Sequence, residues 1–459
     1  MRAGDRPLHM ASIPAFGTDG VRGVAITEVS PEYVLALGRA IARVLRPVRV
    51  VLGRDPRVSG PVLEAAISAG VSAEGVICEE FGVLPTPALA MIAQRENVPA
   101  FVITASHNKY TDNGVKVFAA GGRKLVDEQE RAIEAETLRI LADGTGDSGG
   151  PASAGVVRRR SDGISMYVDH FVDVFGEGSL SGLRVAIDCA NGAMSVVAPL
   201  VLSRLGADVI TLHDAPDGTN INDDCGATAP HALVEFVRGT ASGSTIDLGF
   251  AFDGDGDRLI AVDENGTIVD GDRLIALSAL DRRERGALPG DTVVVTVMSN
   301  LGFHRAMSAA GIGVITTAVG DRNVLDAIED GGYVIGGEQS GHIIHRDLAT
   351  TGDGLLAAVV LASMVRRRGV RFSALATAVM TTFPQVLKNV RVAVRPPDVA
   401  ALLAVEITAE EARLGDSGRV LVRSSGTEPL IRVMVEAATP ELADEVCDRL
   451  VEAARHRCV

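Results

Sequence analysis

Short apolar runs in this chain end in polar, often glycine-bearing turns, and helical spacing follows. This alternation constrains the fold more than any other feature. Val48–Leu52 reads as a strand, Gly53-Arg-Asp55 as its turn and Pro61–Ala73 as a helix. Leu183–Asp188, Asn191-Gly192 and Met194–Leu205 repeat the unit, and Asp291–Val297 with Met298-Ser-Asn300 begins it again. Pro31–Leu45 carries Val34, Leu37, Ile41 and Leu45 on one stripe, the spacing of a helix laid on a core. Strands joined by helical crossovers run parallel. At 459 residues the chain is too long for one ordinary core. The unit recurs at Val50, Val185 and Val294, which implies three related α/β domains and a smaller one after them.

The apolar run Pro99–Ile103 leads into Thr104-Ala-Ser-His-Asn108, so Ser106 is expected at a strand's C-terminal end, where open α/β sheets place ligands. A serine there can carry a phosphoryl group. The plainer reading is a turn whose polar side chains satisfy local backbone groups. A Ser-His hydrolase pair lacks the G-x-S-x-G elbow. Lys116 follows ten positions on. Another apolar run, Asp247–Phe252, enters Asp253-Gly-Asp-Gly-Asp-Arg258. Three carboxylates at alternate positions can bend toward one point, and their repulsion calls for a hard cation, Mg²⁺ or Ca²⁺. An EF-hand loop requires glycine where Arg258 stands.

Gly336-Gly-Glu-Gln-Ser-Gly-His342 has P-loop glycine spacing but His342 where Lys is needed, so nucleotide phosphate is not indicated. Glu338, Ser340 and His342 can hydrogen-bond sugar hydroxyls; a tight turn with a core histidine is the alternative. Arg423-Ser-Ser-Gly-Thr-Glu-Pro429, between strands at Val420–Val422 and Leu430–Val435, combines an Arg, hydroxyls and freed backbone N–H groups, which suit a phosphate. Phe16-Gly-Thr-Asp-Gly-Val-Arg-Gly23 reads as a glycine-rich loop around Arg22. The net charge of −15 argues against nucleic-acid and anionic-membrane surfaces. Five scattered cysteines without a C-x-x-C pair read as reduced thiols of a cytoplasmic protein. Met1–Pro14 lacks the apolar core of a secretory signal. Leu355–Val365 is too short to span a membrane and reads as a buried helix.

In order along the chain, the Ser-His-Asn loop, the Asp-Gly-Asp-Gly-Asp-Arg loop and the Ser-Gly-Thr-Glu-Pro loop resemble the α-D-phosphohexomutase superfamily. Phe16–Gly23, Gly320-Asp321-Arg322 and Gln339, where most other members carry Met, resemble its glucosamine-phosphate branch. Lys109 and Ser424 stand where Pro is common, and neither change removes a catalytic group. The resemblance implies four domains around a central cleft: 1–155 with the phosphoserine loop, 156–257 ending in the metal loop, 258–370 with the sugar loop, and a C-terminal α+β domain over 371–459. The α/β sheets are expected to be mixed and largely parallel. It implies Mg²⁺ held by Asp253, Asp255, Asp257 and an oxygen of phosphorylated Ser106. Lys116 and His107 would lie near the transferring group, and Arg22 and His342 would handle protons. Arg258 and Gly320-Asp321-Arg322 would line the cleft, Glu338 and Ser340 would hold sugar hydroxyls, and Arg423, Ser425, Gly426 and Thr427 would hold the other phosphate.

The implied activity is interconversion of glucosamine 6-phosphate and glucosamine 1-phosphate through a sugar 1,6-bisphosphate, a step toward UDP-N-acetylglucosamine. A phosphomannomutase/phosphoglucomutase and a non-catalytic phosphosugar-binding protein are the alternatives. A homodimer is left open.

Overall fold

The computed structural model describes residues 14, 16–17, 20–143, 154–240, 245–394, 396, 398–425 and 429–458. The first sheet is built from Phe16–Gly17 (β1), Gly20–Val24 (β2), Arg49–Arg54 (β3), Ile77–Val83 (β4), Ala100–Ile103 (β5), Asp112–Ala119 (β6), Arg123–Lys124 (β7) and Val157–Arg159 (β8). Its order is β1-β2-β6-β5-β3-β4-β8, with β7 paired to β6. The β3 strand runs parallel to both β4 and β5, whereas β6 is antiparallel to β5 and to β2. Helices Pro31–Leu45 (α1), Gly60–Ala73 (α2), Thr86–Glu96 (α3) and Asp127–Asp143 (α4) accompany it.

Period-two alternation explains the layering. Val50, Leu52, Phe101 and Ile103 join one core with Leu37 and Ile67 of α1 and α2. Their neighbours Val51, Ala100 and Val102 join another with Leu89 and Ile92 of α3. Full burial of a side chain such as Phe101 contributes roughly 1.5–3 kcal/mol.

Gly163–Phe175 (α5) leads to a five-stranded sheet of Arg184–Asp188 (β9), Asp208–Leu212 (β10), Leu248–Phe252 (β11), Leu259–Asp263 (β12) and Ile268–Val269 (β13), in order β10-β9-β11-β12-β13. Met194–Arg204 (α6) and His231–Thr240 (α7) connect its parallel strands. Gly271–Glu284 (α8) precedes a four-stranded sheet of Thr292–Thr296 (β14), Gly313–Thr317 (β15), Ile335–Gly337 (β16) and Ile343–His345 (β17), in order β15-β14-β16-β17. Leu301–Ala309 (α9) follows β14 in sequence, and Asp321–Gly331 (α10) and the buried Gly354–Arg368 (α11) complete this region. Phe372–Val379 (α12), Gln385–Arg391 (β18), Val399–Leu402 (α13), Ala404–Leu414 (α14), Arg419–Ser424 (β19), Leu430–Glu436 (β20) and Pro440–Cys458 (α15) follow. The last three strands pair antiparallel as β18-β20-β19.

By contacts the chain divides into Met1–Val297 with Ile315–Ala376, and Met298–Val314 with Thr377–Val459. The expected fourth domain from 371 therefore gains a segment distant in sequence. No helix among the described residues is long and apolar enough to cross a membrane, and all five cysteines are free.

Several sequence expectations need correction. In the glycine-rich stretch around Arg22, β1 and β2 pair antiparallel, and Arg22 of β2 pairs with Gly114 of β6. Glycine is required there because a Cβ on Gly20 would stand 2.3 Å from the Val115 carbonyl oxygen. The first sheet extends past residue 155, since β8 pairs with β4; the expected linker falls mostly on 144–153, outside the described residues. The expected limit at 257 falls inside a sheet. The Asp loop is the turn between antiparallel β11 and β12, with Phe252 opposite Leu259, so the second sheet continues to Val269. Gly320-Asp-Arg322 opens α10, with Gly320 at its N-cap.

The β16–β17 turn is fastened to β12. The Leu259 N–H donates to the Gly341 carbonyl at 2.9 Å, and a Cβ on Gly341, at φ 92°, would meet the Leu259 carbonyl oxygen at 2.2 Å. Gly341→Ala is therefore expected to destabilise this region by about 1–3 kcal/mol, measured as a lowered urea midpoint.

Candidate active site

Two strand ends supply the site. After β5 the chain turns through residues 104–111 into β6, and after β11 it turns through 253–258 into β12. The turns meet where Ser106 Oγ donates to Asp253 Oδ2 at 2.6 Å. Ser106 is buried and has φ 51°, a left-handed backbone costing about 1–3 kcal/mol unless its surroundings fix it.

They do fix it. The Ser106 N–H donates to Thr104 Oγ1 at 2.9 Å, and Thr104 donates to Asp55 Oδ2 at 2.7 Å. Arg57, fully buried, pairs with Asp55 at 2.9 Å. Its guanidinium donates to the carbonyls of Ser106 (2.9 Å), Asn108 (2.7 Å) and Asp112 (3.1 Å), and also to that of Lys109. Asn222 Nδ2 reaches the Ser106 and Asn108 carbonyls from the second sheet's loops, at 2.8 and 3.0 Å. Gly254 permits this approach, because a Cβ there would stand 2.7 Å from the Ser106 carbonyl oxygen.

Asp253 Oδ1 accepts from the N–H groups of Gly256 (3.1 Å) and Arg258 (3.2 Å), which curls the Asp loop. One oxygen from each of Asp253, Asp255 and Asp257 lies within 4.8 Å of the others, and all three residues are buried. Like charges at such spacing repel by about 3–4 kcal/mol per pair at an effective dielectric near 20. Burial, then Asp257 and Asp255, push the Asp253 carboxyl up to about 8. Lys116 of β6 places Nζ 2.8 Å from Asp255 Oδ2 and 2.6 Å from Asp257 Oδ2. Against the effect of burial, Lys116 and then His342 hold Asp257 well below the usual carboxylate range. Thr86 donates to Asp255 Oδ2 at 2.5 Å.

Asp255 Oδ1 is buried without a hydrogen-bond donor among the described residues. Among the described residues Asp257 Oδ1 likewise has no hydrogen-bond donor; His342 Nδ1 stands at 3.7 Å and Arg258 Nε at 3.9 Å. Under-satisfied, converging carboxylate oxygens beside a serine hydroxyl fit a hard divalent cation such as Mg²⁺.

The other expected residues fall at varied distances from this centre. His107 Nδ1 lies 3.5 Å from Ser106 Oγ; burial, then Arg258 and Arg22, pull its pKa down to about 4. His342 is buried between Asp257 and Asp321, its Nε2 3.6 Å from Asp321 Oδ2. Burial works against its protonation, but Asp257 and Asp321 raise its pKa overall. Asp321 also takes Lys124, and Arg322 is held by Asp127 (2.9 Å) and Glu130 of α4. Glu338 Oε1 accepts from the Gly320 N–H at 3.1 Å, and Ser340 is exposed at the turn.

Arg423 and Ser425 belong to the C-terminal unit. Arg423 stands opposite Arg432 on the neighbouring strand, and burial, then Arg432, lower its pKa. Two facing guanidiniums suit an anion. Ser425 is buried, its N–H bonded to the Leu430 carbonyl at 2.8 Å; Gly426 and Thr427 lie outside the described residues.

Four models of the phosphoglucomutase/phosphomannomutase family match in order: alpha/beta/alpha domain I over residues 14–143, domain II over 165–266, domain III over 270–383 and the C-terminal domain over 387–453. The phosphoglucosamine mutase of Desulforudis audaxviator is 49% identical, over 95% of this chain and 96% of its own. Those of Frankia alni and Thermobifida fusca are each 48% identical, over 96% of this chain and 98% of theirs. The chain belongs to the phosphoglucosamine mutase family.

Solved structures share the fold. A phosphoglucomutase/phosphomannomutase family protein from Burkholderia thailandensis superposes with TM-score 0.80 at 24% identity, over 97% of each chain. Aspergillus fumigatus N-acetylphosphoglucosamine mutase, solved with GlcNAc-6P and magnesium, gives 0.70 at 18% identity, over 98% of this chain and 97% of that one.

Sequence reasoning misses Arg57, Thr86, Lys124, Glu130 and Asn222. For Arg57 the one signal is position, two residues past the Gly53-Arg-Asp55 turn at a strand's C-terminal end. The others touch the site through contacts far apart in sequence. Arg57→Met is expected to lower stability by roughly 3–5 kcal/mol in urea titration, because it strands Asp55 as a buried unpaired charge. Adding Asp55→Asn should recover part of that loss.

Proposed function

We propose that this chain interconverts glucosamine 6-phosphate and glucosamine 1-phosphate through phosphorylated Ser106 and glucosamine 1,6-bisphosphate. The observation that carries this reading is the Ser106 hydroxyl 2.6 Å from Asp253, the first of three converging buried carboxylates. Asp253, Asp255, Asp257 and an oxygen of phosphoserine 106 would hold Mg²⁺. When bound, the ion offsets negative charge on the oxygens of the transferring group.

The rest is work for the chain's own side chains. The free sugar hydroxyl attacks the phosphorus on Ser106; the Oγ–P bond breaks, a sugar O–P bond forms, and the proton lost by the hydroxyl ends on the departing Ser106 Oγ. Arg22 and His342 are assigned to proton handling. His107 Nδ1 lies 3.5 Å from Ser106 Oγ, and Lys116, paired with Asp255 and Asp257, would stabilise charge near the transferring group. The bisphosphate turns over, and its other phosphoryl returns to Ser106.

Phosphoserine carries about −1.5 to −2 charge and the substrate is also anionic, so positioning and charge stabilisation dominate the catalysis. Glu338 and Ser340 would bind sugar hydroxyls, with Arg258 and Gly320-Asp321-Arg322 lining the same site. Arg423, Ser425, Gly426 and Thr427 would hold the phosphate not being transferred; the Arg423–Arg432 pairing supports that assignment. Free thiols and a phosphosugar substrate favour a cytoplasmic location.

Intact-mass analysis with site mapping is expected to find one phosphate, on Ser106, and Ser106→Ala should abolish phosphoryl exchange. Phosphate mapped elsewhere, or exchange retained in Ser106→Ala, would refute the relay. Glucosamine 6-phosphate should exceed mannose and glucose phosphates in kcat/KM by at least about tenfold, a transition-state difference of about 1.4 kcal/mol. The reverse order would make the chain a phosphomannomutase/phosphoglucomutase.

A further inference from the structure

The mutase reaction leaves a second group of ligating side chains unused. Asp188 ends β9, the strand between β10 and β11; His213 directly follows β10; Cys225 precedes Gly226 in the loop that continues from it. An oxygen of Asp188, a ring nitrogen of His213 and the Cys225 sulfur all lie within 4.8 Å of one another. Asp188 and Cys225 are fully buried, whereas His213 keeps 33% of its side chain exposed, which leaves a way in from solvent.

His213 Nδ1 stands 3.0 Å from Asp188 Oδ2, yet it is shielded from water and aimed so that no hydrogen bond forms. Two light ligand atoms on bonds of ~2.0 Å to a tetrahedral ion stand about 3.3 Å apart. The spacing and aim suit two ligands of one centre better than a donor and its acceptor. The Asp188 carboxylate is oriented as ligating carboxylates are: Oδ1 accepts from the Ala190 N–H at 2.9 Å and Oδ2 from the Gly226 N–H at 3.0 Å.

We propose that Asp188, His213 and Cys225 bind one divalent cation of the zinc class, with a fourth position open to water. Ligand chemistry separates this site from the carboxylate triad. Sulfur and imidazole select borderline ions, whereas three carboxylates select Mg²⁺. On binding, the Cys225 S–H bond breaks, its proton leaves to solvent, and a sulfur–metal bond forms with no change of oxidation state. The ion would brace β9 against the 213–226 loop. Asn222 of that loop donates to the Ser106 and Asn108 carbonyls, so the brace bears on the turn that presents Ser106.

The test uses the full-length protein, freed of transition metals, held in excess Mg²⁺ and titrated with Co²⁺ and then Zn²⁺. One equivalent of Co²⁺ is expected to produce a near-ultraviolet thiolate charge-transfer band, which Zn²⁺ removes. Cys225→Ser should lose the band, and His213→Ala should weaken Co²⁺ binding at least about tenfold; folding of each variant is checked by circular dichroism. His213 is partly exposed, so its replacement keeps the test decisive should Cys225→Ser not fold. No thiolate band at one equivalent, a band unchanged in Cys225→Ser, or undiminished affinity in His213→Ala would overturn the assignment, leaving a plain Asp–His pair beside a buried thiol.

Discussion

Three carboxylates confined to one buried turn repel one another, and much of the site follows from that constraint. Positive charge has to be brought to them. Lys116 comes from β6 of the first sheet to Asp255 and Asp257, and His342 comes from the β16–β17 turn toward Asp257. A side chain of either region alone could not neutralise the cluster. The electrostatic demand of one six-residue loop therefore ties three sheets together, and the same demand suits the loop to a hard cation.

The serine is governed by a different constraint. Its hydroxyl must be held at the triad on a turn with φ 51°, a backbone that a free loop would abandon. The holding groups are rigid and buried: one guanidinium donating to three carbonyls of the turn and to that of Asp112 at the start of β6, one carboxylate tying Thr104 and Arg57, and one carboxamide from the second sheet. Arginine suits this task because its planar fork presents five donors in fixed directions, which lysine cannot reproduce. Gly254 then lets the two turns touch without a side chain between them.

Much was legible in the residues themselves. The buried strand before Ser106 and the one before Asp253 were readable from apolar runs, and both ended where expected, at Ile103 and Phe252. The Asp-Gly-Asp-Gly-Asp pattern pointed to carboxylates bent toward one point because glycines free the turn, and the three do converge, buried. Pairing partners were not readable. Nothing local says that β12 returns antiparallel beside β11, that β8 completes the first sheet, or that Arg22 lies on a strand. Those choices depend on which edge is free once the other strands have packed.

Alone, the sequence determined the α/β alternation, the placing of Ser106 at a strand's end and the convergent carboxylate loop, since these rest on local spacing and on the chemistry of residues adjacent in the chain. Only the tertiary structure decided that Lys116 faces Asp255 and Asp257, that Arg57 cages the Ser106 turn, and that Asp188, His213 and Cys225 converge. Each of those contacts joins groups separated along the chain, from His213–Cys225 at the short end to Lys116–Asp257 at the long end. Their meeting follows from how sheets and crossovers pack, which no window of neighbouring residues encodes.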